Sequence, residues 1–233
     1  MIRARGRHEG CRIPVPGTRE SHTAHLLFFL IRAVMMGVLG AVLVSMVYSV
    51  AGVVYRPHRL ESHRVEWWWT VGPIVIVLMV ALPTLVSLYW GGGGVVPTAA
   101  VMAVGHQWYW EFQQRWGGNS PRVLGCDSYT ETDPVDRGLA RLFSTDAHLL
   151  VPMGCTTRVI VTSADVVHNF NLKSMSVSID AVPGRCHTTS VRVNSPGLYR
   201  GLCREVCGPG HYSIALTVEA VSLGGYWGFF RGC

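Results

Sequence analysis

Two long uncharged stretches near the amino terminus constrain the fold of this chain more than any other feature. Residues 33–54 offer 22 mostly apolar positions, and residues 67–90 add 24 more. About 20 such residues form a helix long enough to cross a hydrocarbon core of about 30 Å. Since only 15% of the 233 residues are charged, we interpret both stretches as transmembrane helices rather than as buried core helices.

The residues around these stretches predict how the two helices are oriented. Aromatic rings lie at both ends of the second stretch, starting at Trp67 and ending at Trp90, as is typical of membrane interfaces. The connection over residues 55–66 carries three arginines and two histidines, and short basic loops stay on the cytoplasmic or matrix side. We therefore expect a transmembrane helical hairpin over residues 26–90 with both ends on the opposite side. The Arg-rich residues 1–25 are either a presequence or a basic extension of the mature protein.

The sequence changes its period after this hairpin. We interpret residues 91–104, which begin with four glycines, as a linker that leads into a first strand region. Over residues 105–233, β-branched or alternating segments such as "TTRVIVTS" and "IALTVEAV" are separated by turn residues, which predicts a β-sandwich or Greek-key barrel. This half has eleven basic and ten acidic side chains, a net charge of +1. It lacks the basic face of a nucleic-acid-binding domain, so we expect no nucleic acid among the partners.

One short segment of the β half, "CREVCGPGH", gathers two thiols and one imidazole in nine residues. Residues 208–210 disfavour helix, so Cys203, Cys207 and His211 would have to converge on a tight loop. The best candidate for a fourth ligand is His168, at the end of the strand-like run "SADVVHNF". Thiolate and imidazole suit zinc or copper, and the spacing alone leaves both metals open. A disulfide between the two cysteines is a third interpretation, although it would leave His211 without a role.

The longer motifs carry a more specific signal than the cysteine pair. From about Glu66 to His211 the chain resembles subunit II of the haem–copper cytochrome c oxidases. The resemblance implies a two-helix transmembrane hairpin followed by an all-β cupredoxin-like Greek-key barrel that holds a dinuclear copper A centre. The motifs that carry it, in chain order, are "ALPTLVSLYW" at the end of the second apolar stretch, "VGHQWYWEF" (104–112), "SADVVHNF" (163–170), "DAVPGR" (180–185) and "PGLYRGLCREVCGPGH" (196–211).

The resemblance also assigns ligands within residues 105–233. It implies that Cys203 and Cys207 bridge two copper ions and that His168 and His211 each bind one of them. Glu205 would bind copper through its backbone carbonyl, and its carboxylate would bind magnesium at the boundary with subunit I.

Three further positions gain a meaning from the resemblance. Trp108 matches the residue that receives electrons from cytochrome c, and Glu66 matches the carboxylate at the entrance of a proton path. Ile214 occupies the position of the family's axial methionine and is not a ligand. Because an axial methionine is a weak, long ligand that tunes potential, we expect copper to bind without it but at an altered potential.

The predicted function is therefore that of an oxidase subunit that passes electrons from cytochrome c through copper A to haem in subunit I. Expected partners are subunit I, other oxidase subunits, cytochrome c and membrane lipid. The expected location is the mitochondrial inner membrane with the β domain in the intermembrane space, or else a bacterial plasma membrane with that domain in the periplasm. Two alternatives stay open, namely a copper-free subunit II of a quinol oxidase and a membrane-tethered zinc- or copper-binding module.

Overall fold

The computed structural model describes residues 17–52, 62–90, 96–116, 123–131 and 142–232. These residues belong to two compact units, one within Thr23–Gly93 and one formed by the flanking parts of the chain. The four glycines of the predicted linker, most of the predicted basic connection and the first 16 residues lie outside the described residues.

Two long helices make up the first unit. Helix α1 spans Arg19–Val50 and helix α2 spans His63–Trp90. Both are long and apolar enough to cross a membrane, and their most apolar windows are not buried within the structure. An apolar surface on every side of a helix needs an apolar surrounding, which lipid provides, and the helix satisfies its own backbone polar groups there.

Helix α1 begins before the apolar stretch that predicts it. Thr18 is buried, and its hydroxyl oxygen accepts a hydrogen bond from the backbone amide of Ser21, as a helix-capping threonine does. The backbone amide of Gly17 donates to the carbonyl of Ser174 at 2.7 Å, and the carbonyl of Gly17 accepts from the amide of Asn194 at 3.0 Å. The end of the predicted extension over residues 1–25 is thus bonded to the β domain.

The second unit is an all-β domain followed by a short helix. Its strands form a five-stranded sheet in the order β3-β2-β1-β5-β8, a three-stranded sheet in the order β4-β10-β9 and a β6-β7 pair. Most neighbours are antiparallel, whereas β1 with β5 and β4 with β10 are parallel. Within the described residues the elements are β1 (Ala99–His106), β2 (Tyr109–Trp116), β3 (Val123–Ser128), β4 (Leu149–Pro152), β5 (Thr156–Ser163), β6 (His168–Leu172), β7 (Val177–Ala181), β8 (His187–Arg192), β9 (Gly197–Leu202), β10 (Ala215–Val221) and α3 (Leu223–Gly232).

The core of the domain lies between these sheets and reaches the candidate site. Trp110, Phe112, Phe170 and Leu216 are fully buried, and burying a Phe or Leu side chain stabilises a fold by about 1.5–3 kcal/mol. The indole ring of Trp110 meets Phe170 edge to face at 5.4 Å between centroids, and it meets His168 at 6.0 Å. The ring of His168 is thereby fixed against the core.

Strands β9 and β10 hold both ends of the cysteine-containing loop. Leu202 and Ala215 are the last paired positions of this antiparallel ladder. Beyond them, the amide of Cys203 donates to the carbonyl of Ile214 at 3.0 Å. The loop therefore leaves and rejoins the sheet at one place. Two apolar helices followed by an all-β domain confirm the architecture that the sequence predicts.

Candidate metal centre

Three side chains converge at the end of the β domain. The ligand atoms of His168, Cys203 and Cys207 all lie within 4.8 Å of one another. These residues are 0%, 6% and 3% exposed, respectively. Thiolate and imidazole ligands in a buried cluster suit a soft or borderline metal ion.

The imidazole of His168 is oriented by a neighbouring carboxylate. Its Nε2 atom lies 2.8 Å from Oδ1 of Asp165. The other ring nitrogen, Nδ1, is buried and has no hydrogen-bond partner among the described residues. A buried polar atom without a hydrogen-bond partner lowers the stability of the fold unless a bound ligand interacts with it. A histidine that gives its second nitrogen to a carboxylate is the usual arrangement beside a bound metal, so the residues present fit a metal ion.

Asp165 is itself held in place by the backbone. Its Oδ2 atom accepts a hydrogen bond from the amide of Gln107 at 2.6 Å, and Oδ1 accepts one from the amide of Val166 at 2.6 Å. Burial raises the pKa of this carboxyl, but the hydrogen bonds from His168, Val166 and Gln107 outweigh burial, so the pKa lies below its usual value. Asp165 is therefore charged at neutral pH and can fix the imidazole.

The two thiols differ in how readily they lose a proton. Burial raises the pKa of Cys203, but the neighbouring imidazole of His168 and hydrogen bonds with the backbone of Asn169 and Glu205 lower it to about 7. Burial and the neighbouring charge of Cys203 raise the pKa of Cys207. One thiolate thus forms first, and its charge makes the second harder to form.

The remaining proposed ligands lie around this group of three. Nδ1 of His211 is 3.5 Å from Sγ of Cys207, although His211 is only partly buried and is not in the group of three. The backbone carbonyl of Glu205 accepts a hydrogen bond from Sγ of Cys203 at 3.3 Å, and the side chain of Glu205 is exposed. Ile214 is 1% exposed and contributes only its carbonyl, to Cys203.

Two predicted site residues lie outside the cluster. Trp108 occupies the turn between β1 and β2 and is 39% exposed. Glu66 lies in the first turn of α2, where its carboxylate is 3.4 Å from Nδ1 of His63.

Sequence reasoning missed three residues that shape the cluster. Asp165 precedes His168 by three positions, but this spacing fixes no contact in an irregular segment. Gln107 donates from Nε2 to the carbonyl of Cys207 at 2.7 Å. No local sequence pattern predicts this contact, because the two residues are 100 positions apart. At Gly105 a Cβ atom would lie 2.8 Å from the ring of His168, so the glycine leaves the space that the imidazole fills.

Fold and site together define a membrane-anchored protein whose β-sandwich carries a buried His–Cys–Cys cluster that suits a soft metal. The family model described as cytochrome c oxidase subunit II, periplasmic domain, matches residues 99–221, slightly more than half of the chain. The chain belongs to the cytochrome c oxidase subunit II family.

Individual relatives cover more of the chain than the family model does. Cytochrome c oxidase subunit 2 of Metridium senile is 34% identical over 190 residues, which are 81% of this chain and 76% of that protein. The subunit 2 of Triticum aestivum is 40% identical over 175 residues, 73% of this chain and 67% of that protein. The crystal structure of the periplasmic domain of subunit II of Bradyrhizobium japonicum cytochrome oxidase matches with a TM-score of 0.54 and 29% identity, covering 59% of this chain and 94% of that one.

These findings confirm the predicted fold class, two apolar helices followed by a cupredoxin-like domain. The chain is a respiratory oxidase subunit II, a component of a haem–copper oxidase complex, and other oxidase subunits are its expected partners. The family is that of the copper A subunit, and the His–Cys–Cys cluster is present.

Proposed function

We propose that this subunit accepts electrons from cytochrome c at a dinuclear copper A centre and passes them to haem in subunit I. The observation that carries the proposal is the buried cluster of His168, Cys203 and Cys207, in which Nδ1 of His168 has no hydrogen-bond partner in the described part of the chain. A neutral imidazole nitrogen aimed at two thiols is a ligand set for a soft metal rather than for a hard cation such as Ca²⁺.

The ligand roles follow the resemblance of the motifs. Cys203 and Cys207 would bridge two copper ions, His168 and His211 would each bind one, and Glu205 would contribute its backbone carbonyl. When bound, the copper pair supplies reversible one-electron redox chemistry. The distance of 3.5 Å between Nδ1 of His211 and Sγ of Cys207 supports the second histidine.

The protein holds these ligands in fixed positions and shields the cluster from water. The β9–β10 ladder fixes both ends of the loop, the amide of Cys203 bonds to Ile214, and Gln107 bonds to the carbonyl of Cys207. Ligands that cannot move do not rearrange when charge changes, and a buried shell controls the potential of the site. Both properties suit a centre that only relays electrons.

Trp108 is the proposed point at which the electron enters the subunit. Its indole is partly exposed and lies against the loop that carries Cys207 and His211. An aromatic ring that is open to solvent on one side and touches the ligand loop on the other can accept an electron from a docked donor protein. We assign this donor as cytochrome c on the strength of the family resemblance.

The remaining assignments concern ions, protons and location. The exposed carboxylate of Glu205 would bind magnesium at the boundary with subunit I, and Glu66 would lie at the entrance of a proton path.

We place the helices in the lipid of the mitochondrial inner membrane with the β domain in the intermembrane space. The alternative is a bacterial plasma membrane with the β domain in the periplasm.

Metal analysis of the purified oxidase tests the proposal against its two rivals. Two copper ions per subunit II, lost together in Cys203→Ser and in Cys207→Ser, are expected. Zinc in their place would favour a tethered zinc module. Absence of metal in a complex that still oxidises quinol would favour a copper-free subunit II. Cys186→Ser is the control, because that exposed thiol is outside the cluster.

A further inference from the structure

The indole of Trp108 rests directly on the backbone of Gly210. A Cβ atom added at Gly210 would lie 2.5 Å from Cγ and 2.8 Å from Cε2 of Trp108, and Cδ2 would be closer still. All three atoms belong to the five-membered ring of the indole. Real Cβ atoms essentially never approach within 3.0 Å of another group, so this contact requires a residue without a side chain at position 210.

The backbone conformation gives no other reason for glycine at this position. Gly210 has φ −86° and ψ 6°, which lies in a region that other residues also adopt. Gly208 differs, because its φ of +120° is one that side chains disfavour. Glycine is therefore needed at position 208 for the shape of the chain and at position 210 for the space that the ring of Trp108 occupies.

A second contact fixes the turn that carries Trp108. The side-chain amide of Gln107 donates to the carbonyl of Cys207 at 2.7 Å. A Cβ atom at Gly208 would meet Nε2 of Gln107 at 3.1 Å and Cζ2 of Trp108 at 3.4 Å. The indole thus covers the loop from Gly208 to Gly210, between the ligand candidates Cys207 and His211.

We infer that Gly210 is a positioning residue that keeps Trp108 in van der Waals contact with the ligand loop. The inference rests on the proposed function, in which Trp108 receives the electron. One electron leaves the reduced haem of the donor protein and arrives at the metal centre, while Trp108 and the loop are neither oxidised nor reduced overall. No bond forms or breaks. Direct contact removes a gap that would otherwise weaken the electronic coupling between ring and loop.

The substitution Gly210→Ala tests this inference in the purified oxidase complex. To reach the 3.4 Å of ordinary contact from 2.5 Å, the ring must move by about 1 Å. We expect a loss of at least severalfold in the rate of reduction by cytochrome c, with copper content and the internal transfer to haem unchanged. Gly125→Ala is the matched control, since a Cβ atom there meets nothing within 4 Å in the described part of the chain, and it should leave the rate unchanged.

Oxidative footprinting read by mass spectrometry gives a result that is independent of metal and activity. The side chain of Trp108, now 39% exposed, should become more reactive in Gly210→Ala and not in Gly125→Ala. Unchanged reactivity would show that the ring has not moved and would overturn the inference.

A double-mutant cycle with Trp108→Phe completes the test. The smaller ring of Phe leaves room for a Cβ atom at position 210. Cytochrome c should therefore reduce the double variant no more slowly than it reduces Trp108→Phe alone. If Gly210→Ala does not assemble, Trp108→Phe should restore assembly, and failure to do so contradicts the inference. If cytochrome c reduces Trp108→Phe slowly but Gly210→Ala at the normal rate, the inference about Gly210 is refuted and the proposed function is not. Absence of copper from the unmodified complex refutes the proposed function, while the footprint still reports on Gly210.

Discussion

His168 and Asp165 form the contact on which the candidate metal centre depends. Nε2 of His168 lies 2.8 Å from the carboxylate, and Nδ1 is buried near two thiols without a hydrogen-bond partner among the residues that the structure describes. A neutral imidazole in this orientation suits a metal ion, since its second nitrogen is already held. The same contact leads to the first of four predictions.

Replacing Asp165 with Asn should weaken copper binding. The amide would keep the shape of the side chain but would place an NH₂ group where the carboxylate now accepts from Gln107 or Val166. Loss of such a supporting contact typically lowers metal affinity by about 10–100-fold, which competition with a copper chelator would measure. Asp146→Asn is the control, since Asp146 also accepts from two backbone amides, those of Tyr129 and Ala147. Equal affinities in both variants would contradict the assigned role of Asp165.

Copper affinity should fall as the pH is lowered. Both thiols must lose their protons to bind metal, and so must His168. Burial lowers the pKa of His168, but the negative charges of the neighbouring Cys203 and Asp165 raise it above its usual value. With the pKa of Cys203 at about 7 and that of Cys207 raised, uptake above pH 7 releases one thiol proton, and below pH 7 it releases two.

The logarithm of the apparent affinity should therefore rise with pH, with a slope that steepens below pH 7. Copper titrations of the metal-depleted complex at several pH values, at constant ionic strength, would give this slope. A constant affinity over that range would exclude the two thiols as ligands.

Replacing Ile214 with Met should shift the copper potential and leave the copper content unchanged. Ile214 is 1% exposed and supplies no side-chain donor, whereas methionine would add a weak axial sulfur, a ligand that tunes potential. Swaps of similar volume in a core usually cost less than about 1.5 kcal/mol. Ile214→Leu is the control, which changes shape without adding a donor. A redox titration in which Met and Leu variants behave alike would mean that the residue at 214 does not reach the metal.

Replacing Gly105 with Ala should disturb the ring of His168. The new methyl group would lie 2.8 Å from Cδ2 and 3.0 Å from Cγ of that ring. Overpacking of this kind typically destabilises a core by about 1–3 kcal/mol. We expect lower copper occupancy and a lower melting temperature of the purified complex. Gly125→Ala should change neither, and a fully loaded Gly105→Ala complex would refute the proposed packing.

The sequence predicts the main parts of this fold because each has a local signature. The two helices follow from uninterrupted apolar runs, and the strands follow from β-branched segments between turns. Cys203 and Cys207 stand out by their spacing alone. His168 could be selected because a strand-like run leads to it, and the structure places it at the first position of β6.

The supporting contacts could not be predicted, since they join residues that are distant in the chain. Gln107 meets the carbonyl of Cys207 only because the β1–β2 turn and the β9–β10 loop end at the same edge of the domain. Gly17 bonds to Ser174 and Asn194 for a similar long-range reason. Asp165 needed the conformation of its loop to be recognised, because a carboxylate three positions before a histidine has no fixed partner in an irregular segment.

Electron paramagnetic resonance of the purified oxidase distinguishes a shared copper pair from a single metal ion. We expect an unpaired electron shared by two copper nuclei, visible as hyperfine coupling to both, and its loss in Cys203→Ser and Cys207→Ser. A signal from a single isolated copper, or no copper signal from a complex whose subunit II contains zinc, would contradict this expectation.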